Sequence, residues 1–208
     1  MRRRLDLSVY FITDPSARRG VEEAAVGAVR GGVRTVQLRD KTMPDADFTA
    51  LGRRLHAALA PFGAALIVND RAHLAAEIGA DGVHVGQTDA AVADVRAMIG
   101  SDAILGLSIE NAGQLAAVDP AMVDYLGVGP IRATATKPDH APQIGLAEFA
   151  VIARTARLPC VAIGGVTARD AAPIRSVGGA GLAVVSAICD ADNPEQAARA
   201  LLDAWRRP

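Results

Sequence analysis

Short apolar runs alternate with longer stretches of helical period along the whole chain. The runs at 8–13, 35–38, 65–68, 83–85, 104–107, 125–128, 160–163 and 182–185 are aliphatic and bounded by polar or glycine residues. Continuous apolar runs of that length read as strands buried on both faces. Between them, the stretches 20–30, 45–59, 72–78, 91–99, 112–118, 146–155, 168–177 and 194–205 carry helical spacing. Punctuation supports the boundaries: Gly31-Gly32 is a stop signal after the first helix, Pro44 and Asp45 open the second, and Pro61 lies beyond its end.

Eight strands alternating with eight helices specify a single-domain (β/α)8 TIM barrel over residues 1–208. The competing doubly wound open sheet would more often carry a glycine-rich fingerprint after its first strand, and Thr13-Asp14-Pro15 is not one. Half of the residues are hydrophobic but only 3% are aromatic, so Ala, Val, Leu and Ile must fill the core. At 208 residues the chain can bury roughly 70% of its unfolded surface. A net charge of −1 gives no global field to draw in nucleic acid or an anionic membrane. Arg2-Arg3-Arg4 is a lone basic run, read as a solvated end. Cys160 and Cys189 have neither metal spacing nor a disulfide framework, which suits two reduced core thiols and a cytoplasmic location. No apolar run reaches membrane-spanning length, and the N-terminus lacks the apolar core of a signal peptide.

In a barrel the active site lies at the C-terminal ends of the strands, and polar residues collect there. Period two sends Gln37, Arg39 and Lys41 into the barrel mouth and Leu38 to the helix-packed outside. Two inward cations call for a counterion. A phosphate or pyrophosphate suits a planar Arg fork and a mobile Lys, while pairing with Asp40 and Asp45 at the rim is the structural alternative. Asp70, after Asn69, and Asp89 follow neighbouring strands. One carboxylate from each is what Mg2+ takes, with water and phosphate oxygens completing its shell. Read singly, Asp89 is a helix N-cap and Asp70 a loop residue. His84 should point inward, more as a hydrogen-bonded layer residue than as a catalyst. Gly106 and Ser108 share the inward side of the fifth strand, leaving space below a hydroxyl that could bond a heterocycle. No Ser-His-Asp order supports a nucleophile.

After the sixth strand, Gly127 to Lys137 sets out small residues, Thr134, Thr136 and Lys137. Gly164-Gly165 and Val185-Ser186 follow strands seven and eight, the usual phosphate-binding place in this fold. Two anionic subsites result. Arg39, Lys41, Asp70, Asp89 and Lys137 form a metal-assisted one. Thr134 to Thr136, Gly165 and Ser186 form a backbone cradle. That division suggests two phosphorylated substrates, one carrying pyrophosphate.

These motifs, in this order from about Val9 to Ile188, resemble the thiamine phosphate synthase family. They are the stretch 36–41, Asn69-Asp70, the stretch 84–89, Gly106 to Ser108, Gly129 to Lys137, Gly164-Gly165 and Val185-Ser186. The resemblance implies condensation of a hydroxymethylpyrimidine diphosphate with a thiazole phosphate, giving thiamine phosphate and pyrophosphate with Mg2+. Carried over by position, Gln37, Leu38, Arg39, Lys41, Asn69, Ser108 and Lys137 would hold the pyrimidine diphosphate. Arg39, Lys41, Lys137 and Ser108 would serve catalysis, and Asp70 and Asp89 would bind Mg2+. Thr134, Ala135, Thr136, Gly165, Val185 and Ser186 would hold the thiazole phosphate. Two departures stand out: Glu110 where many relatives carry a histidine, and Arg132-Ala133 in place of an aromatic–proline pair.

The implied partners are two phosphorylated heterocyclic small molecules, without nucleic acid or membrane, and a homo-oligomer is compatible with the sequence. The reaction needs no general base, because the attacking thiazole nitrogen carries no proton. Two rival readings remain. A thiazole tautomerase on the same barrel would need a proton-transferring residue where Glu110 stands. A non-catalytic barrel could sense the same phosphate ligands and signal to a partner.

Overall fold

In the computed structural model, which describes residues 5–133 and 142–207, each apolar run becomes one strand of a closed parallel barrel. The strands are β1 (Val9–Ile12), β2 (Thr35–Leu38), β3 (Ala65–Asn69), β4 (Gly82–Val85), β5 (Ile104–Ile109), β6 (Tyr125–Val128), β7 (Cys160–Ala162) and β8 (Gly181–Val184). They pair in sequence order, and β1 closes on β8 through Val9↔Leu182 to Phe11↔Val184. The chain is therefore a (β/α)8 barrel. No helix among the described residues is long and apolar enough to cross a membrane.

The pleat sorts side chains as period two requires. Tyr10, Ile12, Ile67, Ile104, Tyr125, Val161 and Ala183 pack together inside the barrel. Val36, Leu38, Leu66, Val68, Leu105, Leu107, Leu126 and Val128 face outward and pack under the helices. Leu38 is fully buried in that outer layer, as its parity predicts. Side chains at the strand termini on the inner face are thereby left to form the floor and walls of the mouth.

The covering helices are α1 (Val21–Arg30), α2 (Asp45–Leu59), α3 (Ala75–Ile78), α4 (Val92–Ile99), α5 (Ala112–Leu115), α6 (Gly145–Thr155), α7 (Ala171–Ser176), α8 (Ser186–Cys189) and α9 (Pro194–Arg206). Acidic first turns and basic last turns complement the helix dipole in α1 (Glu22, Glu23 and Arg30) and α9 (Glu195 and Arg206). Asn193 caps α9 by accepting from the Gln196 N–H. The stop signal after α1 divides into two roles. Gly32 takes φ +109, the conformation that ends the helix, whereas Gly31 is helical in conformation. Any Cβ on Gly31 would lie 2.4 Å from the Glu195 carbonyl oxygen, so that glycine lets α9 approach α1.

Several expected boundaries shift. The third and seventh helices begin as 3-10 turns, Ala72–Leu74 and Ala168–Asp170. The fifth helix stops at Leu115 rather than 118. The eighth strand ends at Val184, because Val185 (φ −117, ψ −82) turns the chain directly into α8, a helix that the apolar pattern hides. The seventh strand ends at Ala162, one residue early.

Candidate active site

A single cleft at the C-terminal end of the barrel gathers Gln37, Arg39, Lys41, Asn69, Asp70, His84, Asp89, Ser108, Gly165, Val185 and Ser186. The cleft brings together every expected site residue within the described regions except Leu38, whose side chain lies outside the barrel. Thr134, Ala135, Thr136 and Lys137 lie outside the described residues.

The cationic wall is built by the loop after β2. Thr13 Oγ1 accepts from the Arg39 N–H at 3.0 Å, fixing the backbone where it leaves the strand. Asp40 does not pair with Arg39 or Lys41. Its carboxylate accepts from the N–H groups of Thr42 and Met43 at 2.8 and 2.9 Å, forming a turn. Asp45 instead takes Arg71 at 2.8 Å and His73 at 2.9 Å. The expected rim alternative is thus absent: both carboxylates are engaged elsewhere. Among the described residues Arg39 has no ion-pair partner, and Lys41 has only Asp70, at 3.8 Å. The cleft holds cationic charge that its own carboxylates do not neutralise by close pairing.

Asp70 sits in a tight, strained turn. Its φ is +59, unusual outside glycine though tolerated by Asp. The turn is pinned by Asp70 N–H to the His84 carbonyl at 2.9 Å and Arg71 N–H to the Asn69 carbonyl at 2.7 Å. Arg71 reinforces it by lying over the Phe48 ring and donating to the Asp40 carbonyl. The strain aims the Asp70 carboxyl at Asp89. Burial, then the hydrogen bond and charge of Asp89, push the Asp70 carboxyl up to about 6. Asp89 is not a helix cap, since α4 begins at Val92; its Oδ2 accepts from the Gly86 N–H at 2.7 Å. Two carboxylates crowded against each other, with a lysine nearby, fit a hard divalent cation that also takes water and phosphate oxygens. No group of three or more His, Cys, Asp or Glu residues capable of holding a metal occurs among the described residues.

The floor of the cleft is a chain of five buried or half-buried polar side chains from five strands. Gln37 Nε2 donates to Tyr10 Oη at 2.7 Å, and Tyr10 Oη meets Tyr125 Oη at 2.8 Å. Tyr125 Oη meets His84 Nδ1 at 2.9 Å, and His84 Nε2 meets Ser108 Oγ at 2.8 Å. Burial depresses the His84 imidazole to about 4, so the ring is neutral. Burial first, and then the neighbouring Tyr10, hold Tyr125 well above the ordinary phenol range. The space that Gly106 was expected to leave is filled: a Cβ there would lie 2.2 Å from Tyr125 Cζ and 2.4 Å from His84 Nδ1. Tyr10 and Tyr125 were not among the expected site residues. Their inward parity on β1 and β6 is the one signal that could have found them.

The opposite wall comes from the loops after β6, β7 and β8. Gly164 and Gly165 both have positive φ, +88 and +62, and α8 starts immediately after β8 with its first N–H groups facing away from the helix body. Arg132, the departure from the familiar pattern, spans this wall. It donates from Nη1 to Asp170 at 2.9 Å and to the Gly165 carbonyl at 3.2 Å, and from Nη2 to the other Asp170 oxygen. Asp170 also closes a capping box with Thr167. Burial alone would raise its carboxyl, but the bonds from Arg132 and Thr167 outweigh burial and hold it below the usual range. Glu110 lines the cleft beside Ser108.

The family profile described as thiamine monophosphate synthase matches residues 9–188. The thiamine-phosphate synthase of Xanthobacter autotrophicus is 49% identical over 201 residues, covering 94% of each chain. That of Laribacter hongkongensis is 43% identical over 204 residues, covering 97% of this chain and 96% of its own. Among solved structures, the thiamine phosphate pyrophosphorylase from Pyrococcus furiosus superposes with a TM-score of 0.87 at 28% identity, covering 96% of both chains.

Proposed function

The chain belongs to the thiamine monophosphate synthase family, and from that premise we propose that it is a transferase joining two phosphorylated heterocycles. The substrates are 4-amino-2-methyl-5-hydroxymethylpyrimidine diphosphate and 4-methyl-5-(2-phosphoethyl)thiazole, and the products are thiamine phosphate and pyrophosphate. The observation that carries the substrate assignment is the cleft's division. Arg39 and Lys41 lie with the Asp70–Asp89 pair at the ends of β2 to β4, and Gly165 and Ser186 line the cleft after β7 and β8, where backbone and hydroxyl groups replace the carboxylates. A diphosphate suits the first and a monophosphate the second.

The chemistry asks for charge stabilisation and alignment. The bond from the pyrimidine methylene to the diphosphate oxygen breaks, leaving pyrophosphate and an electron-rich methylene cation. The thiazole nitrogen lone pair then forms the new C–N bond, and no proton changes hands at that nitrogen. Arg39 and Lys41 stabilise the negative charge that grows on the departing oxygens. Mg2+, held by Asp70 and Asp89, would neutralise more of that charge when bound. Ser108 and Gln37 orient the pyrimidine ring, and the opposite wall holds the thiazole phosphate so that its nitrogen faces the methylene carbon. Lys137 and Thr134 to Thr136 are assigned to these two subsites from the resemblance alone.

Mixing the purified protein with both substrates and Mg2+, and measuring released pyrophosphate, tests the reading. Release that requires both substrates supports it. Binding of both ligands without release would replace the enzyme with a sensor, and turnover of a thiazole carboxylate alone would make it a tautomerase.

A further inference from the structure

The chain from Gln37 to Ser108 has a direction, and the direction follows from counting hydrogens. Gln37 gives a hydrogen to Tyr10 Oη. Tyr10 has one hydroxyl hydrogen, and its neighbour along the chain is Tyr125 Oη. That hydrogen is paired only if it goes to Tyr125 Oη, and the Tyr125 hydrogen is then left for His84 Nδ1, so full pairing of the buried hydroxyls sets both links. A neutral imidazole whose Nδ1 accepts must carry its hydrogen on Nε2, and that hydrogen points at Ser108 Oγ. Ser108 Oγ therefore accepts from within the barrel, and its own hydrogen is left for the cleft. All links are 2.7–2.9 Å, and Tyr10, Tyr125, Gln37 and His84 are buried, so no water competes for the internal positions.

We propose that Tyr10, Tyr125 and His84 are positioning residues that fix Ser108 as a hydrogen-bond donor to the heterocycle. The selected ligand is then a ring presenting an acceptor nitrogen, as a 4-aminopyrimidine does at N3. A 4-oxopyrimidine carries a hydrogen on that nitrogen and would set donor against donor. The proposal rests on the pyrimidine reading above for the identity of the ligand, but the direction of the chain rests on this structure alone.

The packing explains why the direction is stable. Tyr10 and Tyr125 meet edge to face, with ring centroids 5.6 Å apart at 77°. The His84 and Tyr125 rings lie 5.4 Å apart. Gly106 and Gly127 flank the imidazole, and a Cβ at 127 would lie 3.2 Å from His84 Cε1. The imidazole is thus enclosed by its neighbours, which keeps each nitrogen on its partner. Reversing the links beyond Tyr10 would leave the Tyr10 hydroxyl hydrogen without a partner, unless the Gln37 amide also turned over.

Two measurements on the full-length protein test this. The first is the 15N spectrum of histidine-labelled protein without substrate, with the His84 signals identified by their loss in His84→Gln. The hydrogen is expected on Nε2, with Nδ1 as acceptor. A hydrogen on Nδ1 would overturn the proposal whether or not the protein is a synthase. The second compares equilibrium binding of 4-amino-2-methyl-5-hydroxymethylpyrimidine and its 4-oxo counterpart, each with pyrophosphate and Mg2+ present. The native protein should prefer the amino compound by about tenfold or more, the scale of one mispaired buried group. Tyr125→Phe and Tyr10→Phe should narrow that preference, while pyrophosphate binding in Mg2+ stays unchanged. An undiminished preference in both variants, with their unfolding midpoints near native, would also overturn it. If neither heterocycle binds the native protein, the pyrimidine reading fails, and the histidine spectrum still decides the direction of the chain.

Discussion

Gly106→Ala probes the packing on which the floor of the cleft depends. The new methyl would lie 2.2 Å from Tyr125 Cζ, 2.3 Å from Tyr125 Oη and 2.4 Å from His84 Nδ1. Non-bonded carbons rest at about 3.5–4.0 Å, so both rings are overlapped by roughly 1 Å or more. Neither can retreat freely. Tyr125 is fully buried, with Tyr10 packed edge-on against it, and His84 is only 7% exposed. Relief therefore means rotating a ring off its partner. Overpacking costs about 1–3 kcal/mol, and a buried hydroxyl or imidazole nitrogen left without a partner costs roughly 1–3 kcal/mol more. A loss of about 2–6 kcal/mol should appear in denaturant unfolding at constant pH without Mg2+. Gly113→Ala, whose methyl meets only Asn111 Oδ1 at 3.1 Å, is the control and should change stability little. The clash should also be coupled. In a Tyr125→Ala background the overlap with Tyr125 is gone and the His84 ring can move into the vacated space to relieve the remaining one, so the two losses should not add. A loss under about 1 kcal/mol, or strict additivity, would refute the reasoning.

Four further outcomes follow from the structure. With the folded Asp70 carboxyl raised to about 6, stabilisation from its protonated form is complete below its ordinary value of 3.8 and lost as pH rises through about 6. Metal-free native protein should therefore lose roughly 1–2 kcal/mol across that window relative to Asp70→Asn, a figure discounted for the carboxyl's partial exposure; parallel stability profiles would remove Asp70 as the cause. At pH 7.5, Mg2+ should raise the unfolding midpoint of the native protein and leave that of Asp70→Asn unmoved, and equal shifts would place the cation elsewhere. Arg132→Ala frees Asp170 and the Gly165 carbonyl, so KM for the thiazole phosphate should rise severalfold with kcat largely kept; an unchanged KM would show that the wall holds its shape unaided. Cys160 and Cys189 are pushed up to about 12 by burial, so a thiol reagent should label them only on unfolding, and rapid labelling of the folded protein would contradict their placement.

Strand number, parity and the residues at the strand ends were legible because a parallel barrel repeats one simple unit. Gln37, Arg39, His84 and Ser108 reach the cleft from positions that period two picks out, whereas Asp70 and Asp89 reach it from the loops after β3 and β4, beyond the reach of parity. Interior partners were harder. Tyr10 and Tyr125 read as ordinary strand members, because a tyrosine in an apolar run gives no hint of what its hydroxyl meets across the barrel. Gly106 was visible as missing volume, but what filled that volume depended on register: it lies opposite Tyr125 on β6 and His84 on β4. α8 was hidden because Val185 continues the apolar run of β8 while its backbone has already turned. The pairing of Arg132 with Asp170 joins two loops and follows no local spacing.

The closure of the barrel also bears on the order in which it can be assembled. β1 has no second neighbour until β8 is in place, and α1 keeps its glycine-lined face bare until α9 covers it. An early β-α segment emerging during synthesis thus holds an open sheet edge and an unfilled helix groove, both suited to pairing with the wrong chain. The seam between the first and last units is the step that turns a growing open sheet into a ring. Substitutions there, such as a side chain at Gly31, would act on the yield of assembled protein while leaving the distant cleft intact in those molecules that close.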